Sequence, residues 1–201
     1  PAPAAYLDEK ILKVIIPELS APALQAAKPV VDACPAGTED LPVRWAALLM
    51  SLGEDGTRKA LKRLRCSNTC IEQTAVLVRE TSAAPGQAPA APDTAIRIRK
   101  LLGRYDLHTV QRLAALGAAM EPERAADFAA QAELAAQLDA DGVCCRVSQL
   151  AVNGRDLMAA GIPAGPGLRR TLEALLDAVV RGQLLNERQC LLDAAGQISA
   201  S

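Results

Sequence analysis

Side chains able to perform acid–base or nucleophilic chemistry are scarce in this chain of 201 residues. Its one histidine, His108, falls in the first turn of a predicted helix, with no partner in view that would make it a general base. A Cys–His or Ser–His–Asp nucleophile system would depend on that imidazole. We therefore predict no catalytic residue.

Metal-binding patterns are equally scarce. The cysteines form no Cys-x-x-Cys pair and are far from His108 in sequence, which argues against a zinc site. Asp139 and Asp141 have the spacing of a two-carboxylate metal site, but they fall at the end of a predicted helix rather than on a strand. The sequence thus predicts no bound metal, and buried free thiols are the favoured interpretation of Cys66 and Cys70. The cysteines are Cys34, Cys66, Cys70, Cys144, Cys145 and Cys190.

Clustered cations are the strongest candidates for binding a partner. In TRKALKRLRC, residues 57–66, Leu61 and Leu64 recur at helical spacing between basic residues, which predicts a helix with a basic exposed face. A second basic helix is predicted within residues 94–104. The net charge of the chain is −1, so affinity for a polyanion would have to come from such local patches. The candidates in these two helices are Lys59, Lys62, Arg63, Arg65, Arg97 and Lys100.

Residues 150–190 read as helices separated by turns. Asn153 is a favoured N-cap for a short helix, which Gly161 would end, and Pro166 suits the first turn of the next helix. Gly182 is predicted to end that second helix. Asn186 and Gln189 have the spacing of a capping box at the start of a third helix.

The start of the second helix in this segment is also a candidate anion site. Its free backbone N–H groups lie beside Arg169 and Arg170, and a nucleic-acid phosphate would suit them. Three glycines nearby, Gly161, Gly165 and Gly167, are predicted to allow another backbone to approach closely. The alternative is a tight turn between helices with solvated arginines, since such turns are far commoner than phosphate sites.

Composition favours an all-α, multi-helix array. Alanine and leucine dominate, and only 2% of the residues are aromatic. No apolar run is long enough to cross a membrane and no signal peptide is evident, which predicts a cytoplasmic protein.

Residues 82–92 are rich in Pro and Ala and are predicted to form a loop or linker. Helices are expected at Tyr6–Ile16, Leu24–Ala33, after Asp40 up to Gly53, across residues 58–64, after Ser67 or Asn68, after Asp93 or Thr94, after Asp106 to near Gly117, and at Glu121–Leu138.

The C-terminal segment resembles the tail of bacterial CCA-adding tRNA nucleotidyltransferases, members of the poly(A) polymerase family. LAVNGRDLM, the GIPAGPG turn, LEALLDAVVRG and LLNERQCLL resemble that tail over roughly forty positions. Ala164 stands where the family usually has proline, and Gly167 with Arg169 and Arg170 replaces a more usual Glu-Ile-Gly.

The segment RWAALLMSLGED…ALKRLRCSNTCIEQTAVLVRET resembles the HD-type body domain of the same family. Met50 and Ser51 stand where the resemblance would place the His-Asp metal pair, and Thr81 and Ala26 stand at further histidine positions. Because Met and Ser are poor ligands for a hard divalent cation, the resemblance implies a degenerate HD domain without metal. Glu54, Asp55 and Arg58 spell the EDxxR pattern of the family's nucleotide site, but in the wrong region, which favours coincidence.

The resemblance implies a division of labour. Residues 1–81 would form the degenerate HD-like domain, 82–92 the linker, 93–147 body helices with a long connecting helix, and 148–201 a tRNA-binding tail. The chain would hold the acceptor stem and elbow of tRNA while a catalytic head, absent from these 201 residues, adds CMP and AMP. No cofactor is expected here; Mg²⁺ and CTP or ATP would belong to the head.

Two other hypotheses remain open. The chain could be a degenerate HD-like scaffold that binds proteins, including a second copy of itself, through its Ala/Leu surfaces. It could also be a residual HD metal hydrolase, which the missing ligands argue against. If the chain binds tRNA, the candidate RNA-binding residues are Lys59, Lys62, Arg63, Arg65, Arg97, Lys100, Arg169 and Arg170.

Overall fold

The computed structural model describes residues 14–38, 40–82 and 91–199, and every regular element in these ranges is helical. The predicted all-α class is thereby confirmed. The helices are α1 (Ala21–Ala33), α2 (Leu41–Leu49), α3 (Gly53–Arg63), α4 (Asn68–Ser82), α5 (Ala91–Arg104), α6 (Leu107–Met120), α7 (Ala125–Ala140), α8 (Gly154–Ala159), α9 (Pro166–Val180) and α10 (Arg188–Ser199). Short 3₁₀ turns span Met50–Leu52, Pro122–Arg124 and Val147–Gln149.

The chain forms two compact units. Unit 1 comprises Pro1–Ala88 and His108–Glu133, and unit 2 comprises Pro89–Leu107 and Leu134–Ser201. The described helices of unit 1 are α1 to α4, nearly all of α6 and the first half of α7. Unit 2 holds α5, the rest of α7 and α8 to α10.

Helix α2 lies at the centre of unit 1. Six of its nine residues are buried, because an unusually apolar sequence supplies side chains to nearly its whole circumference. Val43 and Leu49 are fully buried together with Leu61 of α3 and Val78 of α4. Leu41 is 45% exposed, since it is the first residue of α2.

A tight connection joins α3 to α4. Arg65 has a left-handed backbone (φ 55°), its N–H donates to the Lys62 carbonyl, and the N–H of Cys66 donates to the Leu61 carbonyl. These two bonds form a Schellman motif, which usually has glycine where Arg65 stands. The Cys70 N–H then donates to the Ser67 hydroxyl at 3.2 Å, so Ser67 caps α4, one of the two predicted alternatives.

Unit 1 also contains a bidentate ion pair that ties residues 15–18 to α3. Arg63 donates to the two carboxylate oxygens of Glu18 at 2.6 and 2.8 Å and to the Ile15 carbonyl at 2.9 Å. The hydrogen bonds from Arg63, followed by one from the Glu18 backbone, lower the pKa of the exposed Glu18 carboxyl to about 2.

The core of unit 2 joins α8, α9 and α10. Leu157, Leu175 and Leu191, one from each helix, are fully buried in one cluster. The predicted start of α8 is confirmed, because the Asn153 side chain accepts from the N–H groups of Arg155 and Asp156 at 2.8 and 3.3 Å.

The turns around α9 are also where the sequence placed them. Gly161 follows α8 with a φ of 94°, and Gly182 follows α9 with a φ of 73°. Pro166 is the first residue of α9.

Asn186 does not cap the third helix of this segment as predicted. Its amide instead bridges to the residues before α8: the Ala151 N–H donates to its Oδ1 and its Nδ2 donates to the Gln149 carbonyl, both at 2.9 Å. The Gln189 side chain donates to Asp193 further along the helix and does not accept from a backbone N–H at the helix start. The Asn186 side chain thus provides hydrogen-bond partners for the Ala151 N–H and the Gln149 carbonyl.

Three predicted boundaries were wrong. Ser82 belongs to α4, and α5 begins at Ala91, so neither Asp93 nor Thr94 caps it. Helix α6 continues through Gly117 to Met120. A Cβ at Gly117 would lie 2.4 Å from the Phe128 ring, so this glycine serves packing rather than termination.

The start of α3 differs from the sequence prediction, and the predicted helix Tyr6–Ile16 can be compared with the structure only at its end. Glu54 and Asp55, which fall between two predicted helices, form the first turn of α3, where carboxylates interact favourably with the helix dipole. The predicted helix Tyr6–Ile16 lies outside the described residues up to position 13. Its last part, residues 14–15, is helical and is followed by Pro17 in a turn.

The close backbone approach predicted for the glycines of the α8–α9 turn occurs elsewhere. A Cβ at Gly161, Gly165 or Gly167 would have nothing within 4 Å. A Cβ at Gly103 in α5 would lie 2.4 Å from the Cys145 carbonyl oxygen. Residues 143–145 therefore contact α5 through a position that only glycine can occupy without displacement.

The same substitution should have opposite effects at two of these glycines. We expect Gly103→Ala to lower the free energy of unfolding by about 1–3 kcal/mol, because the new methyl group meets fixed backbone. Gly167→Ala lies in a helix with open space around it and should raise the free energy of unfolding by about 0.5 kcal/mol. Urea denaturation of both variants measures the difference, and equal effects would contradict the contact at Gly103.

The Glu18–Arg63 ion pair should make stability depend on pH. Because folding depresses the pKa of Glu18 from 4.5 to about 2, its contribution is present above pH 4.5 and is lost as the pH falls towards 2. We expect the melting temperature of Glu18→Gln to lie below that of the wild type at pH 7 and to approach it below pH 4. Glu123→Gln, at an exposed site without an ion pair among the described residues, is the control. A gap independent of pH would rule out the linkage.

Candidate nucleic-acid interface

The basic residues of α3 divide into paired and unpaired cations. Arg58 binds Glu54, with Nη2 3.0 Å from Oε1, and also forms an ion pair with Glu72. Arg63 is engaged by Glu18, as described above. The hydrogen bonds from the carboxylates raise the pKa of both guanidinium groups. The charges of these two arginines are therefore neutralised within the unit.

Lys59, Lys62 and Arg65 remain as the α3 cation strip. All three are exposed, and none has an ion pair or side-chain hydrogen bond with another described residue. Lys59 and Lys62 are three residues apart on one side of α3, and Arg65 follows two residues after the last residue of the helix. The strip is thus a row of available positive charge at the C-terminal end of α3, where the helix dipole also favours cations.

Arg65 holds its place in the strip at an energetic cost. A left-handed backbone costs a residue with a Cβ roughly 1–2 kcal/mol relative to a right-handed one, and glycine escapes this cost. The position thus has a cation where glycine would be more stable. Strain of this kind is commonest at sites that a function requires.

The candidates of α5 are in different surroundings. Lys100 binds Asp177 of α9, with Nζ 2.8 Å from Oδ1, while the other carboxylate oxygen accepts from Arg181 at 2.5 Å. Arg97 is partly exposed and has no ion-pair partner in the described ranges. The structure therefore leaves Arg97 as the more available of the two predicted residues.

Of the two arginines at the start of α9, one is paired with a carboxylate and the other is not. The Nε of Arg169 donates to Glu173 at 2.7 Å, one turn further along the helix, and the Arg169 side chain is 84% exposed. Arg170 is exposed and has no ion pair with a described residue. No side chain caps the first N–H groups of α9. The structure thus keeps one of the two arginines unpaired but does not direct Arg169 towards the helix start.

Two arginines that the sequence interpretation did not single out cap helix ends in unit 2. Arg99 donates to the Val180 carbonyl at the end of α9 at 2.9 Å. Arg146 donates to the carbonyls of Leu102 and Tyr105 at the end of α5, at 3.1 and 3.3 Å. Cations are favourable at helix C-termini, so these side chains stabilise the fold.

Arg146 also lies at a groove of about 540 Å³ within unit 2. We call it the α5–α9 groove. Its walls come from three segments distant in sequence, and no local pattern could have revealed it. The lining residues are Lys100, Gly103, Arg104, Cys145, Arg146, Val147, Ser148, Glu173, Leu176, Asp177 and Val180.

The thiols are poorly suited to nucleophilic chemistry. Burial raises the pKa of Cys34 to about 11 and also raises those of Cys144 and Cys145. Cys34, Cys144 and Cys145 are buried free thiols. Cys66 and Cys70 were predicted to be buried but are only partly buried, because they lie near helix ends. Cys190 is also only partly buried.

Metal chemistry has no visible site in the described ranges. Met50 and Ser51 lie in the 3₁₀ turn between α2 and α3. No cluster of three or more His, Cys, Asp or Glu side chains within residues 14–38, 40–82 and 91–199 could hold a metal ion. His108 is exposed and lines a small cavity with Asp40 and Arg112. No helix among these residues has the length and apolar character needed to cross a membrane.

Comparisons with known proteins give a consistent result. The CCA-adding enzyme of Geobacillus thermodenitrificans (strain NG80-2) is 31% identical over 147 residues, which are 73% of this chain and 34% of that enzyme. The CCA-adding enzyme of Limosilactobacillus fermentum (strain NBRC 3956 / LMG 18251) is 48% identical over 50 residues, or 25% of this chain and 12% of that enzyme. The matched part is thus about a third or less of these relatives. No solved structure matches the chain.

The family model for tRNA nucleotidyltransferase domain 2 matches residues 39–195, which is well over half of the chain. This match covers the described helices α2 to α9 and includes both the α3 cation strip and the α5–α9 groove. It confirms the resemblance seen in the tail and body sequences. The chain therefore belongs to the tRNA nucleotidyltransferase domain 2 family.

Proposed function

We propose that this chain is the tRNA-binding part of a CCA-adding enzyme. It would hold the acceptor stem and elbow of tRNA while a catalytic head outside these 201 residues adds CMP and AMP to the 3′ end. The observation that carries the proposal is the α3 cation strip within a chain of this family. Support for tRNA as the ligand comes from the relatives, which are named CCA-adding enzymes.

The charges of the strip suit the phosphate backbone of folded RNA. Contacts from lysine and arginine to phosphates position a protein on RNA without reading its sequence. Two of the three members are lysines, whose compact charge on a flexible stem adapts to varied phosphate positions. Aromatic side chains for base stacking are nearly absent, with four in the whole chain, so recognition would depend on backbone and shape.

Two unpaired cations of unit 2, Arg97 of α5 and Arg170 of α9, are further candidates for binding tRNA phosphates. Lys100, Arg169 and Arg63 would contribute less, because each would have to leave a carboxylate before binding a phosphate. An exposed ion pair is worth only about 0–1 kcal/mol, so that exchange is possible but unfavourable to affinity. The proposal therefore ranks the unpaired cations above the paired ones.

The salt dependence of tRNA binding tests the proposal. Each phosphate contact that is lost should reduce the slope of log affinity against log salt by about 1. We expect the double variant Lys59→Gln, Lys62→Gln to weaken binding and to reduce that slope by on the order of 2, measured by filter binding between low and physiological salt. Arg155→Gln, an exposed arginine outside the candidate set, should leave the slope unchanged.

Two results would overturn it. Failure of the wild-type chain to bind tRNA at low salt would favour the protein-interaction scaffold. Equal slopes for the double variant and the wild type would remove the α3 cation strip from the interface.

Arg65→Gly separates binding from stability. Relief of the left-handed strain, partly offset by the greater freedom of glycine in the unfolded chain, should raise the free energy of unfolding by about 0.5–1 kcal/mol. Loss of the cation should weaken tRNA binding several-fold. Urea denaturation and filter binding on the same preparation measure both. A variant that is more stable and binds tRNA as well as the wild type would exclude Arg65 from the interface.

A further inference from the structure

The α5–α9 groove has the size and chemistry of a site for a small polar ligand. Its volume of about 540 Å³ falls within the range of 300–1,000 Å³ that is usual for ligand pockets. Three cations line it, Lys100, Arg104 and Arg146, together with two carboxylates, Glu173 and Asp177. The cations come from α5 and the segment after α7, whereas both carboxylates come from α9. The groove therefore has a positive wall and a negative wall.

The positive wall has one cation available for an anion. Lys100 is held by Asp177, and the guanidinium of Arg146 is held by the carbonyls at the end of α5. Arg104 is exposed and forms no ion pair or side-chain hydrogen bond with a described residue. A ligand phosphate would consequently find Arg104 free to bind it without breaking an existing contact.

The negative wall has a hydrogen-bond acceptor available. Glu173 accepts from Arg169 through Oε1, and its Oε2 accepts no hydrogen bond from a described residue. Both carboxylate oxygens of Asp177 are in use by Lys100 and Arg181. An ionised carboxylate only accepts hydrogen bonds, so Glu173 would select a ligand group that donates.

Apolar side chains lie among the charged residues that line the groove. Val147 is 37% exposed, and Leu176 and Val180 also line the groove. The guanidinium plane of Arg146 is fixed by its bonds to Leu102 and Tyr105. A planar aromatic ring can pack on aliphatic side chains and stack on such a guanidinium plane.

The groove is formed before any ligand arrives. The Cys145 carbonyl lies against Gly103 at a distance that only glycine allows, which joins the two segments of the positive wall. The side chain of Gln149 accepts from the N–H groups of Cys145 and Arg146, both at 2.9 Å, and so shapes the lining segment. A preformed site spends little binding energy on ordering itself.

We propose that the α5–α9 groove binds a single unpaired nucleotide whose base carries an exocyclic amino group. Arg104 binds its phosphate, Arg146 and Val147 contact the face of its base, and Glu173 accepts from the amine. Cytosine, adenine and guanine carry such an amine and uracil does not. The proposal rests on the proposed function only for the statement that the nucleotide belongs to RNA.

Titration calorimetry of the full chain with CMP, AMP, GMP, UMP and inorganic phosphate tests this site. We expect the three amino-bearing nucleotides to bind more tightly than UMP, and inorganic phosphate to bind weakest. Arg104→Gln should weaken all the nucleotides about tenfold, the effect of one charge-assisted hydrogen bond. Arg155→Gln, on an exposed face of α8, is the matched control and should change nothing.

Glu173→Gln supplies a readout that misfolding would not produce. Removal of its negative charge should reduce the preference for CMP over UMP several-fold while leaving affinity for inorganic phosphate unchanged or higher. A uniform loss of affinity for every ligand would contradict the role given to Glu173.

Competition with tRNA separates the two sources of the nucleotide. If tRNA displaces CMP, the site takes a nucleotide of the RNA; if both bind together, it takes a free nucleotide. No saturable binding of any nucleotide up to about 10 mM, weaker than millimolar affinity, would overturn the proposal. That failure would leave tRNA binding by the α3 cation strip, and hence the proposed function, unaffected.

Discussion

Internal pairing of charge decides where this protein remains positive. The chain has 22 basic and 23 acidic residues, so carboxylates are numerous enough to neutralise those cations that lie close to them. Arg58 and Arg63 do so within unit 1, and Lys100 and Arg169 do so within unit 2. The free energy of each exposed pair is small, but the pairs determine which cations face solvent without a partner.

Arginine side chains also bind the free carbonyl groups at the ends of two helices. The last carbonyls of α5 and α9 have no partner within their helices and are bound by Arg146 and Arg99. These two arginines are therefore structural by the chemistry of their contacts. Arg146 in addition lies at the α5–α9 groove, so a helix cap also fixes one surface of the proposed nucleotide site.

Local signals in the sequence were sufficient for much of the fold. Asn153, Gly161, Pro166 and Gly182 set the limits of α8 and α9, because caps and turns depend on residues only a few positions apart. The interpretation was wrong where a distant contact overrode a local one. Gly117 was expected to end α6, yet it lies inside the helix because the Phe128 ring needs its space.

The candidate site was predictable to a smaller extent. Sequence spacing placed the α3 cation strip on one helix face, but it grouped Arg63 with Lys59 and Lys62, since Glu18 is 45 positions away. The α5–α9 groove could not be predicted, because Arg104, Arg146 and Glu173 are brought together only by packing.

By itself the sequence determined the helical class, the limits of α8 and α9 and the family, since all of these depend on residue type and local order. Tertiary structure alone decided which cations are neutralised and where a groove opens. Pairing and cavity formation depend on distances between side chains that the order of residues along the chain does not specify.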